Sequence, residues 1–225
     1  MVHRGCGTAQ TPESSAVPGL QSSTSCCIAP GIPNGAVMKN IAAAVMICLL
    51  ATSAHALTYE EKLPACLACH GEKGISETAE VPSLAGMPSD FTLIQLFLFR
   101  QGTRKVEIMN DLAKDMSDDD LRKFAEYFSR LPPPKASGEP ADPQAAARAQ
   151  AVIAANHCAS CHNPDFSGRE QMPRLAAQRE DYLLKALRDY KAARRPGYDA
   201  TMDEVIRPIT DQNIVDLSHY LARLR

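Results

Sequence analysis

The stretches "CLACHG" (Cys66–Gly71) and "CASCHN" (Cys158–Asn163) carry one pattern, C-x-x-C-H, twice, 92 residues apart. On a helix, residues at i, i+3 and i+4 share a face, so both thiols and the imidazole of each copy point the same way. The spacing has four common uses: a zinc site, a redox dithiol, a disulfide framework and a c-type haem anchor. The remainder of the chain chooses among them.

At 225 residues, with 45% hydrophobic and 22% charged side chains, the chain can build one or two domains and is no disordered tail. A net charge of −2 gives no reason to expect nucleic acid. Residues 1–37 are rich in Ser, Pro, Gly and Ala and lack an apolar period. They read as an upstream segment without a structural role. "MKNIAAAVMICLLATSAHA" (38–56) then combines a short basic start at Lys39, an apolar run from Ile41 to Leu50, and a small-x-small site at Ala54-His55-Ala56. This is the pattern of a secretory signal peptide, with an apolar run too short to span a bilayer comfortably. Translation is expected to start at Met38 and the mature chain near Leu57. A retained interfacial anchor is the alternative.

Past residue 56 only Cys66, Cys69, Cys158 and Cys161 remain, and each belongs to a C-x-x-C-H. A zinc site using both pairs would close a loop of 88 residues, far longer than ribbons and knuckles use. A thioredoxin-like dithiol needs a preceding strand and a βαβ frame, and no strand pattern is present. Disulfides suit an exported protein but leave the histidine after each second cysteine unexplained. Covalent haem attachment accounts for every motif position: two thioethers to the vinyl groups and an imidazole to the iron. Two haem c groups follow.

The chain also repeats internally. "PSLAGMPSDFTLIQLFLFRQGTR" (82–104) aligns with "PRLAAQREDYLLKALRDYKAARR" (173–195) at a shift of 91. "MNDLAKDMSDDDLRKFAEYFSRL" (109–131) aligns with "MDEVIRPITDQNIVDLSHYLARL" (202–224) at a shift of 93. The alignment selects the second axial ligand. Met87 faces Gln178, Met116 faces Ile209 and Met172 faces Val81, so these three read as core filler. Only Met109 and Met202 pair Met with Met, 39 and 40 residues after His70 and His162. Thioether sulfur suits haem iron and raises its potential. The expected iron ligands are therefore His70 with Met109, and His162 with Met202. His157 and His219 have no repeated partner, which argues against bis-histidine haems.

Helical periods dominate. A motif helix should end soon after each histidine. Amphipathic helices are expected over 90–101 and 181–193, and a capped closing helix should follow Ser117 and Thr210. "PPPKASGEPADP" (132–143) reads as an extended, semi-rigid linker. The expected organisation is all-α: domain 1 over 57–131, the linker over 132–143, and domain 2 over 144–225. Each domain is a small helical bundle around a covalent haem that enlarges an otherwise small core.

These residues resemble class I cytochromes c, and in tandem the dihaem cytochrome c4 family. The resemblance covers roughly 60–225 and rests on both motifs, "PSLAG" and "PRLAA", the downstream methionines and the closing helices. It implies that the Pro82 and Pro173 carbonyls accept the ring N–H of the ligand histidines. It places Arg104 and Arg195 either near the haem propionates or on the solvated surface. The second copy departs by Ala177 in place of Gly86 and by two extra residues before Met202.

The function implied is a periplasmic electron carrier, not an enzyme, passing electrons between respiratory or oxidative partners. Redox proteins are the expected partners: a donor, and a terminal oxidase or dehydrogenase, with membrane association only through a partner complex. Residues 57–134 hold 9 basic and 13 acidic residues, and 135–225 hold 13 and 12, an asymmetry able to orient the molecule between two partners. One alternative is the dihaem subunit of a larger dehydrogenase such as a flavocytochrome. A dihaem peroxidase is disfavoured, because matched methionines leave no open coordination site.

Overall fold

The first motif segment starts at a capped residue, the second at His157 without a side-chain cap, and both end on residues that can turn sharply. The computed structural model describes residues 57–136, 138–195 and 201–225. The expected leader at 38–56 and residues 1–37 lie outside the described residues. The described residues form α-helices and no strand, with a single isolated bridge between Arg169 and Met172.

In the first copy, α1 (Tyr59–His70) starts at a reciprocal cap between Thr58 and Glu61 and runs into Cys66, Cys69 and His70. It is followed by α2 (Ser89–Arg100), α3 (Glu107–Ala113) and α4 (Asp118–Arg130). Ser117 and Asp120 form the capping box that starts α4, and three aspartates in its first turn complement the helix dipole. The second copy runs α5 (Pro143–Ala155), α6 (Cys158–His162), α7 (Glu180–Lys191), α8 (Thr201–Ile206) and α9 (Asp211–Ala222). Asp142 caps α5, with Pro143 in the first turn where its missing N–H costs nothing. Thr210 accepts the Asn213 N–H to start α9.

The copies differ at the motif. The first carries it on one continuous helix despite Pro64; the second breaks at Asn156-His157, where His157 adopts a positive φ of 51°. Both motif helices stop directly after the histidine. Gly71 (φ 84°) and Asn163 (φ 68°) make the turn, and a Cβ on Gly71 would meet the Ile75 carbonyl oxygen at 2.1 Å. Asn163 holds this costly conformation because its Nδ2 donates to Ser167 Oγ at 3.0 Å and to the Gly168 carbonyl at 2.9 Å.

Packing repeats as well. α4 packs on α1 and α2, and α3 on α2; α9 packs on α5 and α7, and α8 on α7. The cores match position by position. Ala113, Met116, Leu121 and Phe124 in the first copy correspond to Ile206, Ile209, Ile214 and Leu217 in the second. The two terminal helices of each copy are joined by one ion pair. Lys62 Nζ meets Asp120 Oδ2 at 2.7 Å, and Arg148 forks onto Asp216 at 2.6 and 2.9 Å. Asp216 is only 2% exposed, so its charge depends on that partner.

The loop after each motif is also duplicated. The Leu84 and Ala85 N–H groups donate to the Gly74 carbonyl, as those of Leu175 and Ala176 do to Phe166. The Gly86 N–H then reaches the Phe128 carbonyl and the Ala177 N–H the Leu221 carbonyl, at 2.9 and 3.0 Å, with φ of 65° and 57°. Ala177 bears a left-handed conformation that Gly86 adopts freely.

Two outcomes follow for unfolding of the haem-loaded protein. Gly86→Ala places a Cβ 2.7 Å from Pro133 Cβ, so a loss of ~2 kcal/mol is expected, whereas Ala177→Gly stays within ~1 kcal/mol on the stabilising side. Both are read by denaturant titration. For Asp216, the Arg148 hydrogen bond is the main cause that holds the carboxyl below its usual range, against burial. A depressed carboxylate contributes stability above its unfolded pKa, and loses it as pH falls through the folded value. Arg148→Met is therefore expected to lower the thermal midpoint at pH 7 by several degrees, and the gap should close below about pH 4.

Candidate metal centres

The two histidines are prepared alike. His70 and His162 are 6% and 4% exposed, and each ring Nδ1–H donates 2.9 Å to a proline carbonyl, Pro82 and Pro173 respectively. A carbonyl can only accept, so the proton sits on Nδ1 and the Nε2 lone pair is left for another atom. Burial lowers both pKa values, more than the carbonyl bond raises them, so each imidazole is neutral. Neutral imidazole is the form that binds a metal.

No disulfide joins Cys66, Cys69, Cys158 or Cys161. Burial pushes Cys66 up to about 11 and raises Cys158. Among the described residues, no three His, Cys, Asp or Glu side chains group to hold a bare ion. The second motif instead faces an apolar cavity of about 370 Å³. Cys158, Cys161 and His162 line one part of it, and Met202 lines it too. Met87 and Met172, read from the sequence as filler, also line this cavity. Met87 comes from the first copy, as do Phe91, Ile94 and Gln95, so the copies share its wall.

The first motif also sits among apolar side chains. Cys66 and Met109 pack against one cluster with Phe99 and Phe124, and the His70 ring meets Phe128 edge-on at 6.4 Å. Met116 lies deeper in the core at 6% exposure.

The matched arginines stand over matched rings, Arg104 over Phe99 at 4.5 Å and Arg195 over Tyr190 at 4.8 Å. Arg195 is buried, 6% exposed; its Nη1 donates to the Tyr182 hydroxyl at 3.0 Å, while its Nε–H finds no partner among the described residues. Arg104 donates to Gln95 Oε1 at 2.5 Å. Burial opposes ionisation of Tyr182, but the Arg195 and Arg104 charges overcome it and bring the phenol down to about 8. A buried guanidinium with an orphan donor suits an anionic group at the edge of an apolar ligand. Apolar walls, paired thiols, a neutral histidine, a thioether and this cation together fit a covalently held haem.

Sequence reasoning did not single out Tyr182 or Gln178. Tyr182 is matched by Phe91, so an aromatic repeated with an added hydroxyl was its signal. Gln178 stands where the first copy has Met87, so a polar residue in an apolar register was its signal. His219 is half-buried: it accepts the Asp142 N–H at 3.2 Å and faces Glu180.

Residues 146–225 match the cytochrome c family model. The chain is 30% identical over 176 residues to cytochrome c4 of Pseudomonas aeruginosa, covering 73% of this chain and 86% of that protein. It is 32% identical over 170 residues to the thiosulfate dehydrogenase electron acceptor of Thiomonas intermedia, covering 70% and 77%. Its fold is similar to the crystal structure of reduced recombinant cytochrome c4 from Pseudomonas stutzeri, with a TM-score of 0.66 at 29% identity, covering 74% of this chain and 97% of that one. With two prepared histidines on two matched motifs, the chain belongs to the cytochrome c4 family and is an electron-transfer cytochrome with two covalently bound haem c groups.

Proposed function

We propose that Cys66, Cys69 and Cys158, Cys161 form the thioethers, and that His70 with Met109 and His162 with Met202 are the axial ligands. The observation that carries this reading is the duplicated Nδ1–H···O=C bond at 2.9 Å, which leaves one Nε2 lone pair free on the histidine of each C-x-x-C-H motif. When bound, each haem supplies a one-electron ferric–ferrous couple. The chain's own part is to orient the imidazoles, keep water from an apolar pocket and neutralise the haem carboxylates. Arg195 does the last in the second copy, with Arg104 in the matched place in the first. The domain bounds expected from the sequence, 57–131 and 144–225 around a linker at 132–143, serve this arrangement with one haem each.

The protein is a periplasmic carrier without a substrate of its own, exported by the leader at 38–56 and acting in a respiratory chain. Its partners are redox proteins, a dehydrogenase as donor and an oxidase as acceptor. The relative named as an electron acceptor of thiosulfate dehydrogenase supports a dehydrogenase on the donor side. No helix among the described residues is long and apolar enough to cross a membrane.

The test is a visible spectrum with a redox titration of the purified holoprotein. Two low-spin haems, a weak far-red band of Met–iron ligation and two one-electron steps are expected. Met109→Ala and Met202→Ala should each remove about half of that band and lower one potential, since thioether ligation raises it. Unchanged bands and potentials in both variants would overturn the ligand assignment.

A further inference from the structure

The loop that orients His70 is held from the other copy. Gln178, 4% exposed, accepts the Ser83 N–H on its Oε1 at 2.8 Å and donates from Nε2 to the Ser83 carbonyl at 2.9 Å. Ser83 is itself 2% exposed. The Ser83 N–H and the Pro82 C=O are two ends of one peptide group. That Pro82 oxygen is the acceptor of the His70 Nδ1–H. A continuous chain results: Gln178 Oε1, the Pro82–Ser83 peptide, then the His70 ring.

Neighbouring contacts hold the same loop in place. Arg179 Nη1 donates to the Ser76 carbonyl at 3.1 Å, and the Glu80 N–H donates to Asp181 Oδ2 at 3.1 Å. Ser76 ties the loop back to the motif helix, its N–H donating to Ser83 Oγ and its hydroxyl to the Cys69 carbonyl.

The arrangement is one-sided. In the first copy the position of Gln178 is held by Met87, a thioether that lines the other cavity. Among the described residues, none accepts the Arg174 N–H, the matching end of the Pro173–Arg174 peptide.

We infer that Gln178 is a positioning residue through which the second copy tunes the first haem. An acceptor on the Ser83 N–H polarises the peptide and makes the Pro82 oxygen a stronger acceptor. A stronger bond at Nδ1 makes His70 a more basic ligand, which favours ferric iron and lowers the potential of that haem. The inference rests on the proposed ligation of iron by His70.

The experiment is Gln178→Met, the residue of the first copy, in the full holoprotein. Redox titration followed by NMR resolves the two haems through their methyl resonances. Cooperative strengthening of roughly 10–30% per bond sets the scale. The ferric–ferrous equilibrium of the haem at Cys66–His70 should shift about threefold toward ferrous, ~28 mV upward at ~59 mV per decade. The haem at Cys158–His162, whose cavity Gln178 also lines, should move by clearly less than the first. In the ferrous protein the His70 Nδ1–H resonance should move upfield and exchange faster, with that of His162 unchanged. Equal shifts at both haems, or none, with His/Met spectra intact, overturn the relay and leave the ligand assignment standing. A wild-type spectrum without His–iron ligation overturns both. If Gln178→Met yields no holoprotein, Gln178→Glu decides: it keeps the acceptor and adds charge, so the first potential must hold or fall. A rise overturns the inference.

Discussion

A hydrogen bond from a buried imidazole to a proline carbonyl sits at the centre of each half of this protein. Among the described residues neither group has another hydrogen-bond partner, so the pairing dictates where the ring lies and which nitrogen carries the proton. Burial removes the option of a charged imidazolium, and the carbonyl removes the option of the other tautomer. What remains is one lone pair in a known direction. The sharp turn at Gly71 and Asn163, the duplicated bonds to Gly74 and Phe166, and the left-handed residues at Gly86 and Ala177 all serve to bring the proline back over the histidine.

Around this bond each half is small, and its helices cannot bury a large core by themselves. The four-residue set that closes each bundle is aliphatic in the second copy and partly aromatic in the first. Volume is traded between matched positions, Met116 for Ile209 and Phe124 for Leu217, without a change of helix order. A covalent apolar cofactor adds to such cores, and a buried arginine whose Nε–H has no acceptor among the described residues suits an anionic edge on it.

The copies are related in sequence but are not equivalent in place. Residues of the first line the cavity of the second, and a glutamine of the second grips the histidine loop of the first. Two sites built from one plan thereby acquire different surroundings, which is a physical basis for two different potentials in one chain. Charge adds to the difference, since the first half is acidic and the second nearly neutral.

Much of this was legible in the residues. Cysteine and histidine spacing, the constant shift between copies, and Ser or Thr before each closing helix are local signals, and local signals survive without coordinates. The helices over Ser89–Arg100 and Glu180–Lys191 follow the apolar periods within a residue or two. The break at His157 was not legible, because Asn156-His157 carries no breaker as strong as the Pro64 that its counterpart tolerates. Nor was the burial of Arg195, or the sharing of one cavity wall between copies. Sequence by itself determined the motif residues, their spacing and the helical pattern of each copy, because these depend on residues near one another along the chain. Tertiary structure alone decided what faces what across the two halves. Gln178 meets Ser83 over a separation of 95 residues, and no periodicity encodes a contact made by folding one copy against the other.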